Sequence, residues 1–487
     1  MPVLNTLRTY VPNFLHGTGV TTVLQSTRDV KLLFAQRFFR LFAYGATFLI
    51  LVHYLASLGI SDKLAGLFMT LTMLGDALIS FLLVLITDQI GRRKILALGA
   101  LLMVASGVVF ASSSTYWVLV LASVVGVISP SGNEIGPFRA VEESILSQLT
   151  EKNDRTDVFV WYTVCGTAGA ATGTITSGWL VQMLSGGSSA KELMAYRIVF
   201  LLYAVLGAVK FLLVLALSPN VELSQPEVEY QEVFQLDDEE AFSPPLSPQA
   251  AGEVRGQPPP RPSMSRSQQD SKSSGASIIQ RISSLLPQIS SQSLVTLLRL
   301  VLLFTLDSFA SGMASPSWLT YFFTTYHSVD PGALGTLFFT TNILATLSNF
   351  AALPLARRLG PLKTMTFTHL PSAIFLTMIP LPGPGKQGTL LSMALLSLRA
   401  CTQSMDQAPR QAFLAAVMKP QERTAILGII NIVKTLAQAG GIGTSGLLAA
   451  QRSWRTMLGS AGLMKIAYDL LILWTFLHTP SREDEGR

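Results

Sequence analysis

Charge is what this sequence has least of. Lys, Arg, Asp and Glu make up 13% of its 487 residues, where soluble domains carry roughly 25%, so a water-facing surface of ordinary size cannot be covered. Cysteine is nearly absent: Cys165 and Cys401 both fall in apolar stretches, which argues against a disulfide-built scaffold. The five histidines are scattered and make no metal-ligand spacing with the two cysteines. There is no G-x-x-x-x-G-K-[ST] loop, which argues against an ATP-driven pump, and no H-E-x-x-H or G-x-S-x-G elbow, so neither a metal, a cofactor nor an enzymatic activity is expected. No Asn-x-Ser/Thr acceptor occurs, and Met1–Lys31 is polar, without the compact apolar core of a cleaved leader.

Long hydrophobic runs fill the space that charge leaves. The chain is 49% hydrophobic with mean hydropathy +0.45, and crossing hydrocarbon as a helix takes about 20 apolar residues. Twelve such stretches can be read, at 37–58, 64–86, 94–113, 116–147, 157–184 and 197–218, then at 295–326, 332–356, 363–382, 388–417, 423–449 and 456–478. The sequence therefore predicts an all-α membrane protein. Net charge is +6, but the basic residues sit in short loops rather than in a nucleic-acid-binding patch. Arg92, Arg93, Lys94, Lys152, Arg155, Arg357, Arg358, Lys363, Lys419 and Arg423 alternate onto the side of Arg28 and Lys31. The positive-inside bias makes that side, with both termini, cytoplasmic.

Residues 219–294 differ in kind. They hold an acidic patch at Asp237–Glu240, three consecutive prolines from Pro258, and a Ser/Gln-rich run to Ser277. Such composition buries too little apolar surface to fold, so a disordered cytoplasmic linker is expected between two bundles, 37–218 and 295–478, with cytoplasmic segments at 1–36 and 479–487. A short helix near Ile278–Leu286 is compatible with the pattern.

The two bundles carry matched landmarks about 270 residues apart. Leu67-Phe68-Met69-Thr70 parallels Leu337-Phe338-Phe339-Thr340; Gly91 and Lys94 parallel Gly360 and Lys363; Glu134-x-x-Pro137 parallels Asp406-x-x-Pro409; Arg155-Thr156 parallels Arg423-Thr424. Both copies follow an even number of crossings, so the repeat is parallel, an arrangement that places a binding site between the halves.

At Asp88-Gln89-Ile90-Gly91-Arg92-Arg93-Lys94 the chain resembles the major facilitator superfamily signature G-x-x-x-D-[RK]-x-G-[RK]-[RK], with Val84 in place of the first glycine and Gln89 in place of the basic residue. The resemblance extends over the whole chain. It implies twelve helices in two parallel-related six-helix bundles, alternating access for a small organic solute, and a role for Asp88, Gly91, Arg92, Arg93 and Lys94 in a gating latch that stabilises the outward-open state. Gly166-Thr167-Ala168-Gly169-Ala170-Ala171-Thr172-Gly173 is small and close-packing but lacks the proline of the antiporter signature. The sugar-porter signature is absent after the sixth span.

The same resemblance makes the first, fourth, seventh and tenth spans line the cavity. Asn133, Glu134 and Arg139 lie on the fourth, and Asp406 and Arg410 on the tenth. Glu134 to Arg139 is a loose spacing, whereas Asp406 and Arg410 are one turn apart on one face. Either pair serves as a gate salt bridge or as part of a substrate or proton path. Glu142 and Glu143 read as solvated charge at a helix end. Asp307, near the middle of the seventh span with no base one turn away, is the preferred protonatable or cation-binding site; its structural alternative is a pair with Arg37 or Arg40. Asp76, Lys434 and Asp469 read as interhelical partners, and His53 as structural. Prolines 130, 137, 316 and 409 interrupt presumed cavity helices.

The expectation is a monomeric secondary transporter, proton-coupled or facilitative, in the plasma membrane rather than the vacuolar membrane. Phe- and Met-bearing spans and the Ser/Pro linker resemble fungal members of unassigned substrate or that export toxic or specialised metabolites. A non-transporting receptor or scaffold acting through the linker is the reading of another class.

Overall fold

The computed structural model describes residues 20–126, 128, 137–151, 154–186, 189–222, 291–418 and 422–477. Residues 223–290 of the linker, with its possible helix, and Pro130, Asn133 and Glu134 lie outside the described residues, as does the side chain of Asp88. A short helix α1 (Val20–Gln25) precedes the first span, α2 (Arg28–Ser57), which at 30 residues is about 45 Å long and outreaches the ~30 Å hydrocarbon core. It begins nine residues before the expected boundary. The first bundle continues with α3 (Asp62–Ile90), α4 (Arg92–Ser112), α5 (Tyr116–Val125), α6 (Pro137–Leu149), α7 (Arg155–Ser185) and α8 (Ser189–Leu215). The second holds α9 (Ser291–Met313), α10 (Pro316–His327), α11 (Pro331–Leu359), α12 (Pro361–Met378), α13 (Lys386–Gln403), α14 (Gln407–Val417), α15 (Arg423–Ala450) and α16 (Trp454–Phe476).

The fourth, seventh and tenth spans are each two half-helices. Pro316 opens the second half α10, Pro137 is the first described residue of α6, and Pro409 sits in the first turn of α14. Proline is tolerated there because the first turn has no intrahelical use for its missing N–H. Among the described residues, eight helical stretches are by themselves long and apolar enough to cross a membrane; the fourth, eighth, ninth and tenth spans all carry internal prolines.

Apolar side chains fill the interior and also cover the outside. Trp474 (78%) and Leu302 (71%) are exposed on the outer surface, as lipid-facing side chains would be, while Arg40, Glu142, Lys210, Asp307, Lys465 and Asp469 are buried.

The duplication is visible in packing. Within the halves α2 packs on α7 and α9 on α15; across them α3 packs on α15 and α11 on α7. A Cβ on Gly45 would lie 2.2 Å from Ala170 O, and on its counterpart Gly312, 2.1 Å from Gln438 O. One on Gly173 would lie 2.0 Å from Phe42 O, and on Gly441, 2.0 Å from Phe309 O. These are backbone-to-backbone approaches that only glycine permits. Gly91 (φ +101°) and Gly360 (φ +80°) make the same break between second and third spans of each half, in a region of backbone space that side chains disfavour.

Candidate functional site

The halves meet at the end away from the basic loops. Ser317 Oγ donates to Phe48 O (3.0 Å), Thr70 Oγ1 to Ala439 O (3.0 Å), Tyr321 OH to Asp62 Oδ1 (3.0 Å), and Gly332 N to Gln182 Oε1 (2.8 Å). Phe48 and Phe338 pack edge to face with ring centres 5.7 Å apart. These contacts plug that end of the space between the halves.

Beneath the plug lies polar space. A cavity of about 260 Å³ between the halves is lined by Phe48 and Ala170 of the first bundle and by Asn342, Arg399, Gln403, Gln438 and Lys465 of the second. It shares Ser311, Gln403, Gln438 and Lys465 with a cavity of about 600 Å³ in the second bundle, whose wall includes Asp307, His369, Asp406, Arg410, Asn431 and Lys434. Among the described residues the polar lining comes from one half, and the first bundle contributes an apolar wall.

Three sequence candidates converge here. Lys465 Nζ donates to Asp307 Oδ1 (2.6 Å) and to Ser311 Oγ (2.7 Å). Arg410 Nη1 donates to Asp307 Oδ2 (3.2 Å), and its Nη2 donates to Asp406. Arg410 also lies over the rings of Phe304 (5.6 Å) and Tyr468 (5.7 Å). Two carboxylates and two cations therefore form one nearly neutral cluster, which is how buried charge is tolerated. The Asp406–Arg410 face was expected. The structural alternative, a pair of Asp307 with Arg37 or Arg40, is corrected: its partners come from the tenth and twelfth spans. Asp469 is an interhelical partner, accepting from or sharing a proton with His369 Nδ1 at 2.9 Å.

In the first bundle, Arg40 binds Glu142 through both terminal nitrogens, Nη2 to Oε2 at 2.7 Å, and Tyr162 OH donates to the same carboxylate. Arg37 lies 4.0 Å over the Tyr162 ring. Glu142 is thus fully buried and not solvated, a correction that follows from the face of α6 it occupies, which is turned toward α2 and α7. Glu143, on the other side of α6, pairs with Arg139 (2.6 Å) one turn away in a partly exposed bridge.

The loop motif is held inside its own half. Arg92 donates to Gln148 Oε1 (2.7 Å) and Ser144 Oγ (2.8 Å) on α6. The N–H groups of Arg92 and Arg93 donate to Glu222 Oε2 (2.7 Å) and Oε1 (3.1 Å), the Arg93 side chain to Leu215 O, and Lys94 is exposed. Glu222 supplies the negative charge that the N-terminus of α4 favours. It belongs to the stretch read as linker, yet Pro219–Val221 form a 3₁₀ turn and Glu222 caps a helix.

Sequence reasoning missed Lys465, Arg399 and Glu222. The signal for the first two was available: each is a lone base inside an apolar span, a costly placement that points to a cavity. Glu222 carries no local signal, since its contact spans 130 residues of chain.

The comparisons agree with this architecture. The family model described as Major Facilitator Superfamily matches residues 33–281 and 300–487. An uncharacterized membrane protein of Saccharomyces cerevisiae is 32% identical over 459 residues, covering 93% of this chain and 95% of its own. Among solved structures, the E. coli xylose transporter in an inward open conformation aligns at TM-score 0.61 and 15% identity over 92% of this chain and 96% of its own. A bacterial homologue of the iron transporter ferroportin, inward-facing, aligns at 0.62 and 12% over 92% and 98%. With two six-helix bundles, a matched repeat and a family model spanning both, the chain belongs to the Major Facilitator Superfamily: a multi-pass membrane protein and secondary transporter of small solutes by alternating access, not an enzyme.

Proposed function

We propose that a hydrophilic organic solute crosses through the joined cavities, and that the Asp307 cluster couples its movement to protons. The single observation that carries this reading is the bridging of Asp307 by Lys465 and Arg410 in the wall of a cavity plugged at one end. A proton or a charged solute arriving there must rearrange ion pairs drawn from the seventh, tenth and twelfth spans, so local charge is linked to helix position. No nucleotide-binding motif supplies energy, and a carboxylate held between two movable bases is a suitable proton acceptor when either base is drawn away.

The basic end faces the cytoplasm in this reading, by the positive-inside bias, and the arrangement is inward-open. The motif Asp88, Gly91, Arg92, Arg93 and Lys94 then acts when the cytoplasmic side closes, with Arg92 and Glu222 keeping its helix end in place meanwhile. Asp406 and Arg410 belong to the solute and proton path, with Arg139, Asn133 and Glu134 on the facing gate. The plasma membrane is the proposed site of action, with the protein working as a monomer.

The test is flux in proteoliposomes with an imposed pH gradient. Wild-type accumulation is expected to follow the gradient and to collapse with a protonophore, and Asp307→Asn is expected to uncouple it. Flux indifferent to both the gradient and that substitution overturns the proton reading.

A further inference from the structure

We propose that the solute is an organic anion, and that Arg399 receives its carboxylate or phosphate group. This rests on the reading of the joined cavities as the solute path, and it deepens that reading by naming a charge class and a receptor.

Arg399 lies 13 residues into α13, about 20 Å along the helix from its start and therefore deep in the hydrocarbon layer. It is 7% exposed. Its side chain faces the cavity between the halves, and among the described residues no carboxylate pairs with it and its Nε has no hydrogen-bond partner. The nearby carboxylates are already engaged, Asp307 by Lys465 and Arg410, and Asp406 by Arg410. Guanidinium keeps its charge under all ordinary conditions, so neutralisation by losing a proton is not the answer. A buried unpaired charge is strongly unfavourable, and other buried cations in this protein show what a structural solution looks like: Arg40 holds Glu142 by two nitrogens. Arg399 has no such arrangement.

The remaining charge points the same way. Arg399, Arg410, Lys434 and Lys465 line the joined cavities against Asp307 and Asp406, which leaves an excess of positive charge to attract an anion from the open end. A planar guanidinium presents two parallel donors that match a carboxylate or phosphate. Gln403 and Gln438, beside it in the cavity wall, can donate to and accept from hydroxyl or carbonyl groups on the rest of the solute. The first bundle meets that solute with Phe48 and Ala170, so anion binding adds a hydrogen-bonded ligand to the second half while the halves can still separate across an apolar surface.

The experiment loads proteoliposomes of the full chain with an equimolar mixture of mono-, di- and tricarboxylates, sugar phosphates, neutral sugars and polyols, and organic amines, and follows their release by mass spectrometry. Release of carboxylates or of sugar phosphates is expected, and which of the two appears identifies the anionic group. Release confined to neutral or cationic compounds overturns the anion proposal and leaves the transporter reading standing; release of nothing above empty liposomes removes both. Arg399→Gln is expected to lower anion flux at least about tenfold, the equivalent of one charge-assisted hydrogen bond, with Arg399→Lys retaining an intermediate rate because charge remains and the fork does not. Undiminished anion flux in well-folded Arg399→Gln, judged by a wild-type melting profile, overturns the assignment of the residue.

Discussion

Gly66 and Gly446 touch backbone to backbone across the two halves: a Cβ on the first would lie 2.7 Å from the Cα of the second, and a Cβ on the second 2.6 Å from the Cα of the first. Their repeat counterparts, Gly335 and Gly178, meet in the same way, with a Cβ on Gly178 falling 2.8 Å from Gly335 Cα. Two crossings related by the duplication thus close one end of the molecule. Because helices in lipid gain little from hydrophobic association, such closeness is what holds them together.

Gly66→Val and Gly446→Val are expected to bias the protein away from this closed arrangement. Overpacking costs ~1–3 kcal/mol, and 1.4 kcal/mol moves a two-state ratio about tenfold. Spin labels at Ser61 and Lys386, both exposed at this end, with Cys165 and Cys401 replaced, should report a longer distance population in either variant. An unchanged distribution would mean that the crossing does not control the opening.

The two acid–base pairs of α6 should differ sharply in worth. Glu142→Gln removes the buried carboxylate that Arg40 and Tyr162 share, and breaking such a pair costs ~3–5 kcal/mol. Glu143→Gln removes an i,i+4 bridge whose side chains are 48% and 31% exposed, worth about 0.3–0.5 kcal/mol. Thermal unfolding in detergent should show a large drop in the melting temperature for the first and almost none for the second.

Asp307 and Lys465 should be coupled. Asp307→Asn alone leaves Lys465 and Arg410 with less compensation, and Lys465→Gln alone leaves excess negative charge; together they remove the 2.6 Å pair. The double substitution is expected to destabilise by less than the sum of the singles, with an interaction of roughly 0.5–3 kcal/mol. Additive effects in a double-mutant cycle would show that the pair is not energetically linked.

Glu222 should anchor the motif loop. Glu222→Ala removes the acceptor for the N–H groups of Arg92 and Arg93, a loss of about 1 kcal/mol for a helix N-terminus. Hydrogen exchange over residues 91–95 should accelerate several-fold. Gly91→Ala is expected to disturb the same segment through its φ of +101°, and exchange at wild-type rates in both variants would remove Glu222 from that role.

Membrane character, the twelve spans, the duplication and the proline breaks of the seventh and tenth spans were legible because each is local: composition, run length and spacing along one segment carry them. Asp406 and Arg410 were legible as a pair for the same reason, being one helical turn apart. Glu142 was misread because neighbouring acids near a helix end look alike in sequence. Successive residues turn about 100° around the axis, so Glu142 points inward and Glu143 does not.

What the chain alone settled, then, is where apolar helices run and which charges they carry. Tertiary structure decided what those charges meet. Lys465 reaches Asp307 across 158 residues and Arg410 across 103, and Arg399 faces a cavity that exists only because two bundles stand side by side. Such meetings depend on the axial register and rotation of packed helices. Those are set by backbone approaches at glycines such as Gly45, Gly66 and Gly446, and no periodicity within a single span encodes them.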